Sequence, residues 1–264
     1  MHKADICIVA SAYNNQSIIK EFLTSLTDQE FKDWKLYIAD DKSDDNTIDI
    51  IKEFALKEKR INLIPNHENL GLTNTLNKLI MSLPEDSYIV RMDTDEIHSR
   101  FYLKKIFETL NQENYDLILF TRKKFYVSLL NLLSPYLSSL FISLWGNIFC
   151  HGTSVFSKRL FNKCGGYRRF IYYSQDHCLW VNMLFYAKKR YIFSLKEFRI
   201  RQLENNKRIS VQNFMEQSIF SLFAINEFVQ LTLKKKNTML YLFSFWFLIL
   251  VSIIFKFFRK LFLI

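Results

Sequence analysis

Glycine, proline and cysteine are all scarce in this chain of 264 residues. Its five Gly and three Pro are too few for a fibrous or linker-rich architecture. Its four cysteines form no close pair and lie among apolar residues, and no pair of His or Cys has the spacing of metal ligands. We therefore expect reduced thiols in a cytosolic protein, and neither a disulfide framework nor a zinc site.

Two phosphate-binding signatures are also missing. No glycine occurs at 11–16, directly after the first predicted strand, where a nucleotidyltransferase would need a phosphate-cradling loop. No GxGxxG dinucleotide motif is present either, and the N-terminal apolar run is too short for a signal peptide.

Acidic residues are fewer than basic ones. The chain has 36 Lys and Arg against 26 Asp and Glu, so its formal net charge is +10, which favours an anionic partner. Aromatic residues make up 16% of the chain, and Phe clusters with Leu and Ile rather than with Lys and Arg. This clustering suits an anionic membrane surface better than nucleic acid, so we expect no nucleic-acid partner.

The first 121 residues alternate between short apolar runs and segments with helical spacing of apolar residues. The runs of strand length are 6–10, 36–39, 61–64, 88–92 and 117–120. This alternation predicts an α/β fold with a mostly parallel sheet and helices on both of its faces. Ligands of such sheets bind where the strands end, and here those ends are residues 11–14, 40–45 and 93–96.

Two long apolar segments follow. Residues 125–150 are interrupted by Pro135 and several serines, which predicts a hairpin of helices that is either buried or in contact with a membrane. Residues 239–255 are 17 positions without a charge, flanked by basic clusters. At roughly 1.5 Å per residue they fall just short of the ~30 Å hydrocarbon core. We therefore expect a helix that lies in the plane of an anionic membrane or a short tilted span.

Acidic residues collect after two of the predicted strands. Asp93 and Asp95 follow the fourth strand, with Glu96 after them, and two carboxylates one residue apart suit Mg²⁺ or Mn²⁺. On this motif alone, a turn of the chain and a cap for the helix near Ser99 explain Asp93 and Asp95 better. Asp40 and Asp41 end the second strand, where a carboxylate can accept a hydrogen bond from a nucleobase imide.

Seven short segments stand in a distinctive order. They are 8–14 (IVASAYN), 40–47 (DDKSDDNT), 69–72 (NLGL, with Asn77 beyond it), 88–95 (YIVRMDTD), 151–156 (HGTSVF), 165–167 (GGY) and 174–180 (SQDHCLW). Their order and spacing resemble the family 2 glycosyltransferases with the GT-A nucleotide-sugar-binding fold, over residues 4–210. Four of the five glycines fall inside these segments, as expected where the backbone conformation is constrained.

The resemblance implies a role for each residue at the donor side. Ser11 and Tyr13 would line the nucleoside pocket, and Asp41 would accept a hydrogen bond from the base. Asp93 would contact the ribose side. Asp95 would hold a divalent metal ion, Mn²⁺ or Mg²⁺, that bridges the diphosphate.

On the acceptor side, the resemblance implies that Asp176 is the general base that takes the proton of the acceptor hydroxyl. Asp176 would also suit a helix cap, and the two roles are compatible. Arg201 matches a basic position that would steady the departing diphosphate. In-line attack then inverts the anomeric configuration and needs no covalent nucleophile. We expect His151 and His177 to shape the acceptor site or to pack, rather than to bind metal.

Four residues depart from the family pattern. Ser11 stands where Pro is usual, Lys42 where Gly is usual, Glu96 where a third Asp is common and Gln175 where Glu is common. No essential carboxylate is lost, so an active enzyme is the main hypothesis. Glu96 and Gln175 support the alternative, a non-catalytic, membrane-associated scaffold of the same fold that binds nucleotide.

The resemblance thus implies a metal-dependent hexosyltransferase. Its donor would be a nucleoside diphosphate sugar, and its acceptor a saccharide or lipid-linked saccharide in bacterial surface polysaccharide synthesis (O-antigen, capsule or lipooligosaccharide). We expect a nucleotide-sugar-binding half at 1–121, an acceptor-binding half of the same domain at 122–210, and a C-terminal helical region at 211–264. The expected location is the cytoplasmic face of the inner membrane, either peripheral or with a short C-terminal membrane segment.

Overall fold

The protein is built on alternating strands and helices. A computed structural model describes residues 5–169, 171, 174–198, 201–202 and 214–233. The strands are β1 (Ile6–Ala12), β2 (Trp34–Asp40), β3 (Ile61–Pro65), β4 (Tyr88–Arg91), β5 (Glu96–Ile97), β6 (Leu117–Thr121), β7 (Val155–Ser157), β8 (Arg190–Ser194) and β9 (Arg201–Gln202). The helices are α1 (Ile19–Thr27), α2 (Thr47–Lys57), α3 (Gly71–Met81), α4 (Tyr102–Gln112), α5 (Lys124–Leu132), α6 (Pro135–Trp145), α7 (Lys158–Cys164), α8 (Gln175–Tyr186) and α9 (Phe214–Leu233).

A sheet of seven strands lies at the centre, in the order β3-β2-β1-β4-β7-β6-β8. Six of these strands run in one direction, and only β7 is antiparallel to its two neighbours. The predicted mostly parallel α/β sheet is therefore confirmed. β5 and β9 form a separate antiparallel pair, which lies outside this sheet.

The sheet buries apolar side chains on both faces, as the continuous apolar run of β1 predicts. Cys7 and Val9 pack into a cluster with α3, α7 and α8, whereas Ile8 and Ala10 pack into a second cluster with α1 and α4. Successive side chains of a strand point to opposite faces, so β1 joins the two cores. Each predicted strand matches an observed one with ends that differ by one or two residues.

The apolar segment at 125–150 forms a helical hairpin, as predicted. Pro135 begins α6, and the hydroxyl of Ser134 accepts a hydrogen bond of 3.2 Å from the backbone N–H of Leu137. One side of the hairpin packs on α8, whereas Phe125 and Leu132 are 72% and 87% exposed. The hairpin is thus partly buried and partly an exposed apolar surface.

Helix α9 packs against α6 and α8. Its Glu227 accepts two hydrogen bonds from the guanidinium of Arg168, at 2.5 and 2.7 Å, and a third from Asn182 of α8, at 2.9 Å. In the part of the chain that the structure describes, no helix has both the length and the apolar composition needed to cross a membrane. The predicted membrane segment at 239–255 lies outside the described residues.

The Glu227 contacts generate the first prediction. Replacing Glu227 with Ala should lower the free energy of unfolding by about 2–4 kcal/mol, because it leaves the largely buried Arg168 charge without its partner. Urea denaturation of the full chain measures this loss. The matched control is Glu53→Ala, which breaks an exposed ion pair with Lys57 on α2 and should leave stability unchanged. Equal losses in the two variants would contradict the prediction.

Candidate functional site

The loops after β1 and β2 are joined at the carboxyl edge of the sheet. The backbone N–H of Asn14 donates to Ser43 Oγ at 3.0 Å, and that of Asn15 donates to Thr47 Oγ1 at 2.7 Å. Lys42 stands where the family usually has glycine, and its φ of 65° lies in the left-handed region that favours glycine. The glycine preference at this turn is therefore a preference for a backbone conformation, which Lys42 also adopts.

Asp41 is fixed at the end of β2. Its Oδ1 accepts hydrogen bonds from Asn66 Nδ2 at 2.7 Å, from Thr75 Oγ1 at 2.9 Å and from the backbone N–H of Leu70 at 3.0 Å. The Asp41 backbone N–H also donates to Ala12 O of β1, at 2.8 Å. This carboxylate is thus oriented by donors from the loop between β3 and α3 and from α3 itself, and it is held beside the end of β1.

Ser11 and Tyr13 lie at the same edge. Ser11 is half-buried in β1, and Tyr13 is exposed one residue past the strand. The Tyr13 backbone N–H donates to Asn15 Oδ1 at 3.0 Å, and this oxygen also accepts from Thr94 Oγ1 at 3.2 Å. The Asn15 side chain therefore links the loop after β1 to the acidic segment, residues 93–96, which follows β4.

The acidic segment is organised around Arg91, whose side chain is 1% exposed at the end of β4. Its guanidinium donates to Asp93 Oδ1. Gly152 closes the other side: a Cβ atom there would lie 2.6 Å from both Asp93 Oδ2 and Glu96 Oε2. These two oxygens are thus no further apart than twice that distance, and only glycine leaves room for both carboxylates.

The two carboxyl groups titrate in opposite directions. Burial disfavours the charge on Asp93, but Arg91 and His151 together hold its pKa below the ordinary value. Burial, assisted by the charges of Asp93 and Asp95, raises the pKa of Glu96 to about 8. Glu96 is therefore neutral at pH 7 beside an ionised Asp93.

The donor atoms of this segment suit a hard divalent cation. They are all carboxylate oxygens, and Glu96 Oε2 is buried without a hydrogen-bond partner among the described residues. Within those same residues, no group of three His, Cys, Asp or Glu side chains is arranged to hold a metal alone. Mg²⁺ commonly binds through one or two carboxylates together with substrate phosphates, and the half-buried Asp95 beside Glu96 fits a site of that kind.

Asp176 lies in the first turn of α8. Its Oδ2 accepts a hydrogen bond from Asn147 Nδ2 at 2.5 Å, and its Oδ1 accepts one from the backbone N–H of His177 at 2.9 Å. The His177 amide also donates to Ser174 O at 3.1 Å, so Asp176 shares this donor with the backbone and is not the cap of α8, which begins after Ser174 without a side-chain cap. The hydrogen bond from Asn147, a residue outside α8, orients the Asp176 carboxylate.

His151 connects Asp176 to the acidic segment. Burial and Arg91 lower the pKa of this imidazole, whereas Asp93 and Asp176 both raise it. Its Nε2 is 2.8 Å from the hydroxyl of Tyr167. The charges of Asp93 and Asp176 thus both act on one half-buried imidazole. In contrast, His177 is buried with its Nε2 2.9 Å from Ile142 O.

Arg201 is placed by its backbone. In the pairing of β9 with β5 it lies opposite Ile97, next to Glu96. Its side chain is outside the description. Sequence reasoning missed Asn147, which lies in an apolar segment with no motif around it, and Arg122, whose charge acts on Glu96. Gly152 could be found from the sequence, because the chain has only five glycines and this one lies in the segment 151–156.

Comparison with known proteins identifies the class. The model of glycosyl transferase family 2 matches residues 7–172, which is more than half of the chain, so the chain belongs to this family. A putative glycosyltransferase of Bacillus subtilis, EpsE, is 27% identical over 204 residues, covering 75% of this chain and 73% of that protein.

Other relatives match shorter parts. An uncharacterized glycosyltransferase of Haemophilus influenzae is 29% identical over 110 residues, or 42% of this chain, and this chain spans only about a third (34%) of its length. The putative teichuronic acid biosynthesis glycosyltransferase TuaG of Bacillus subtilis is 26% identical over 109 residues, covering 41% of this chain and 43% of that protein.

Solved structures share the fold. S. aureus TarS 1-349 in complex with UDP-GlcNAc has a TM-score of 0.68 at 16% identity, covering 84% of this chain and 66% of that one. The mannosyltransferase PcManGT from Pyrobaculum calidifontis, in complex with GDP-Man and Mn²⁺, has a TM-score of 0.64 at 14% identity, covering 90% and 66%. The GT-A-like architecture expected from the sequence is therefore confirmed.

The buried neutral Glu96 generates the second prediction. Its pKa is about 8 in the folded protein, against 4.5 in the unfolded chain. Between these values the folded state holds a proton that the unfolded state has lost, so the wild type loses stability as the pH rises through this window. Between about pH 6 and 7, its free energy of unfolding should fall about 1.4 kcal/mol per pH unit more steeply than that of Glu96→Gln. Urea denaturation with EDTA measures both slopes.

Glu58→Gln is the control for this experiment. The hydrogen bonds and charge of Arg60 hold the pKa of Glu58 at about 2. Glu58 is therefore ionised in both the folded and the unfolded state between pH 6 and 7. Its slope should match that of the wild type. If the wild type and Glu96→Gln gave the same slope, Glu96 would have to be ionised in the folded protein, contrary to the prediction.

Proposed function

We propose that the protein is an inverting, metal-dependent glycosyltransferase that moves a sugar from a nucleoside diphosphate sugar to a saccharide or lipid-linked saccharide. The observation that carries this proposal is a pair of oriented carboxylates, Asp93 held by Arg91 and Asp176 held by Asn147, whose charges both act on the half-buried His151. A base beside a donor site is what direct transfer between two bound sugars needs. Family membership and neighbours solved with UDP-GlcNAc or GDP-Man support the choice of donor.

The donor lies along the carboxyl edge of the sheet in this proposal. Ser11 and Tyr13 line the nucleoside pocket, Asp41 accepts a hydrogen bond from the base, and Asp93 contacts the ribose side. The three hydrogen bonds on Asp41 hold its carboxylate in one orientation, which favours selection of one base. Arg201 steadies the diphosphate, a role supported by the pairing of its backbone beside Glu96.

Asp95 holds Mn²⁺ or Mg²⁺ in this proposal, with Glu96 beside it. When bound, the cation offsets negative charge on the diphosphate as it leaves. The mannosyltransferase neighbour with Mn²⁺ and the carboxylate donor set support this assignment. Arg91 keeps Asp93 ionised at the same place, because its buried guanidinium lowers the pKa of that carboxyl group.

Asp176 takes the proton of the acceptor hydroxyl. A sugar hydroxyl is a poor nucleophile, so an aligned carboxylate is needed to accept its proton as the new bond to the anomeric carbon forms. The bond from that carbon to the diphosphate breaks on the opposite side, which inverts the configuration. Asn147 aligns the base, since its amide donates to Asp176 Oδ2 at 2.5 Å.

The setting that we propose is bacterial surface polysaccharide synthesis (O-antigen, capsule or lipooligosaccharide) at the cytoplasmic face of the inner membrane. A relative named for teichuronic acid biosynthesis supports polysaccharide synthesis. The net charge of +10, the basic residues that flank 239–255 and the exposed Phe125 and Leu132 of the α5–α6 hairpin favour an anionic membrane as partner.

A non-catalytic nucleotide-binding scaffold is the second candidate. The observation in its favour is Gln175, which begins α8 without the carboxylate that commonly precedes the base. Such a scaffold would bind the donor without releasing its nucleoside diphosphate. The enzyme remains the better proposal because the Asp176 carboxylate is present and the hydrogen bond from Asn147 fixes its orientation.

The third prediction separates donor binding from transfer. Nucleotide sugars are screened by thermal shift with and without Mn²⁺, since a ligand of the folded state raises its stability. Asp95→Ala should lose the Mn²⁺-dependent stabilisation. Asp176→Asn should keep it but release nucleoside diphosphate at least about 100-fold more slowly, because only the base is removed.

Asp49→Asn is the matched control, an exposed carboxylate on α2 that should change neither measurement. Full transfer by Asp176→Asn, or undiminished Mn²⁺-dependent stabilisation of Asp95→Ala, would contradict the proposed roles. Stabilisation of the wild type without any release from any stabilising donor would favour the scaffold.

The fourth prediction concerns the membrane. Replacing both Phe125 and Leu132 with Ser should weaken co-sedimentation of the full chain with phosphatidylglycerol vesicles by about tenfold, because two exposed apolar side chains no longer enter the bilayer surface. Leu56→Ser is the matched control, since Leu56 is 86% exposed on α2, away from the hairpin. Wild-type vesicle binding by the double variant would exclude the hairpin as a membrane contact.

A further inference from the structure

A cavity of about 230 Å³ lies beside the proposed base. Asn147, whose amide holds Asp176 Oδ2, is part of its lining, so the cavity and the base share one side chain. Tyr126 and Phe149 provide an apolar wall. The cavity is open to solvent on one side and holds several waters, since one water needs only about 10–15 Å³ of such volume.

Charge distinguishes this cavity from a neutral sugar site. Its described lining includes two cations, Arg122 and Lys123, and no carboxylate. Arg122 also donates a hydrogen bond to Cys150 in the same lining, and its charge opposes the rise in the pKa of Glu96, so it acts on both the cavity and the acidic segment. Two adjacent cations that line a cavity at a base are a binding arrangement for an anionic substituent.

We propose that Arg122 and Lys123 bind a negatively charged group, a phosphate or a carboxylate, on the saccharide that receives the transferred sugar. This inference rests on the proposed function for its assignment to the acceptor. The anionic group would hold the acceptor in the cavity, with Asn147 and Asp176 at its hydroxyl. Arg122 and Lys123, which follow the end of β6, would then decide which acceptors are used, and would leave donor binding to the residues that follow β1, β2 and β4.

The test compares three sugars that differ in charge: glucose, glucose 1-phosphate and glucuronate. Their binding to the full chain is measured by calorimetry in EDTA, so that no divalent cation draws phosphate to the acidic segment. We expect at least one of the two anions to bind at least tenfold more tightly than glucose. Preference for glucose 1-phosphate assigns the site to a phosphate, and preference for glucuronate assigns it to an acidic sugar.

Lys123→Gln provides the matched comparison with Lys124→Gln. Both lysines are exposed at the start of α5, but only Lys123 lines the cavity. Lys123→Gln should weaken anion binding about tenfold and Lys124→Gln should not change it. Arg122→Lys, which keeps the charge but not the planar group, should give a smaller loss. Equal binding of glucose and both anions, or equal losses in the Lys123 and Lys124 variants, would overturn the inference.

Failure of this inference is distinguishable from failure of the proposed function. If nucleotide sugars with Mn²⁺ stabilise the protein but neither anion binds better than glucose, the anion site is wrong and the donor site stands. If the anions bind through Lys123 and no nucleotide sugar stabilises the protein, the anion site stands and its assignment to a transfer acceptor falls.

Discussion

The buried Arg91 is the charge on which the arrangement of the site depends. Three carboxylates within four positions repel one another, and burial makes the repulsion stronger. The Arg91 guanidinium donates to Asp93 Oδ1, while its backbone N–H donates to Ser154 O at 2.8 Å. One residue therefore both offsets the negative charge and sets the position of the segment that carries Gly152 against the acids.

From Arg91 the electrostatic coupling extends across the site. Arg91 lowers the pKa of Asp93, burial together with the charges of Asp93 and Asp95 raises the pKa of Glu96, and the charges of Asp93 and Asp176 both act on His151. These residues come from β4, β5, the turn before β7 and the start of α8, which are far apart in the chain. The sheet order β1-β4-β7 makes them neighbours, since it places the ends of β1 and β4 beside the residues that precede β7.

Sequence reasoning recovers the parts of this arrangement that have a local pattern. The apolar runs of β1 and β2 are long enough to identify as strands, whereas β7 has three residues, too few for a period, and its antiparallel direction was not predicted. Asp41 was found by resemblance, but its donors Asn66 and Thr75 lie 25 and 34 positions away. Asn147 and the cavity of Arg122 depend on tertiary packing, which no local pattern encodes.

Because Gly152 lies so close to the acidic segment, we expect the residues at positions 152 and 96 to vary together among relatives. A methyl group at 152 would overlap Asp93 Oδ2 and Glu96 Oε2, so a larger residue there requires both carboxylates to move. Relatives that carry a larger residue at this place should compensate with a shorter side chain at 96 and a displaced acid at 93, and relatives with the longer acid at 96 should retain glycine. Covariation between positions 152 and 96 would thus be evidence that the residue at 152 packs against the carboxylates.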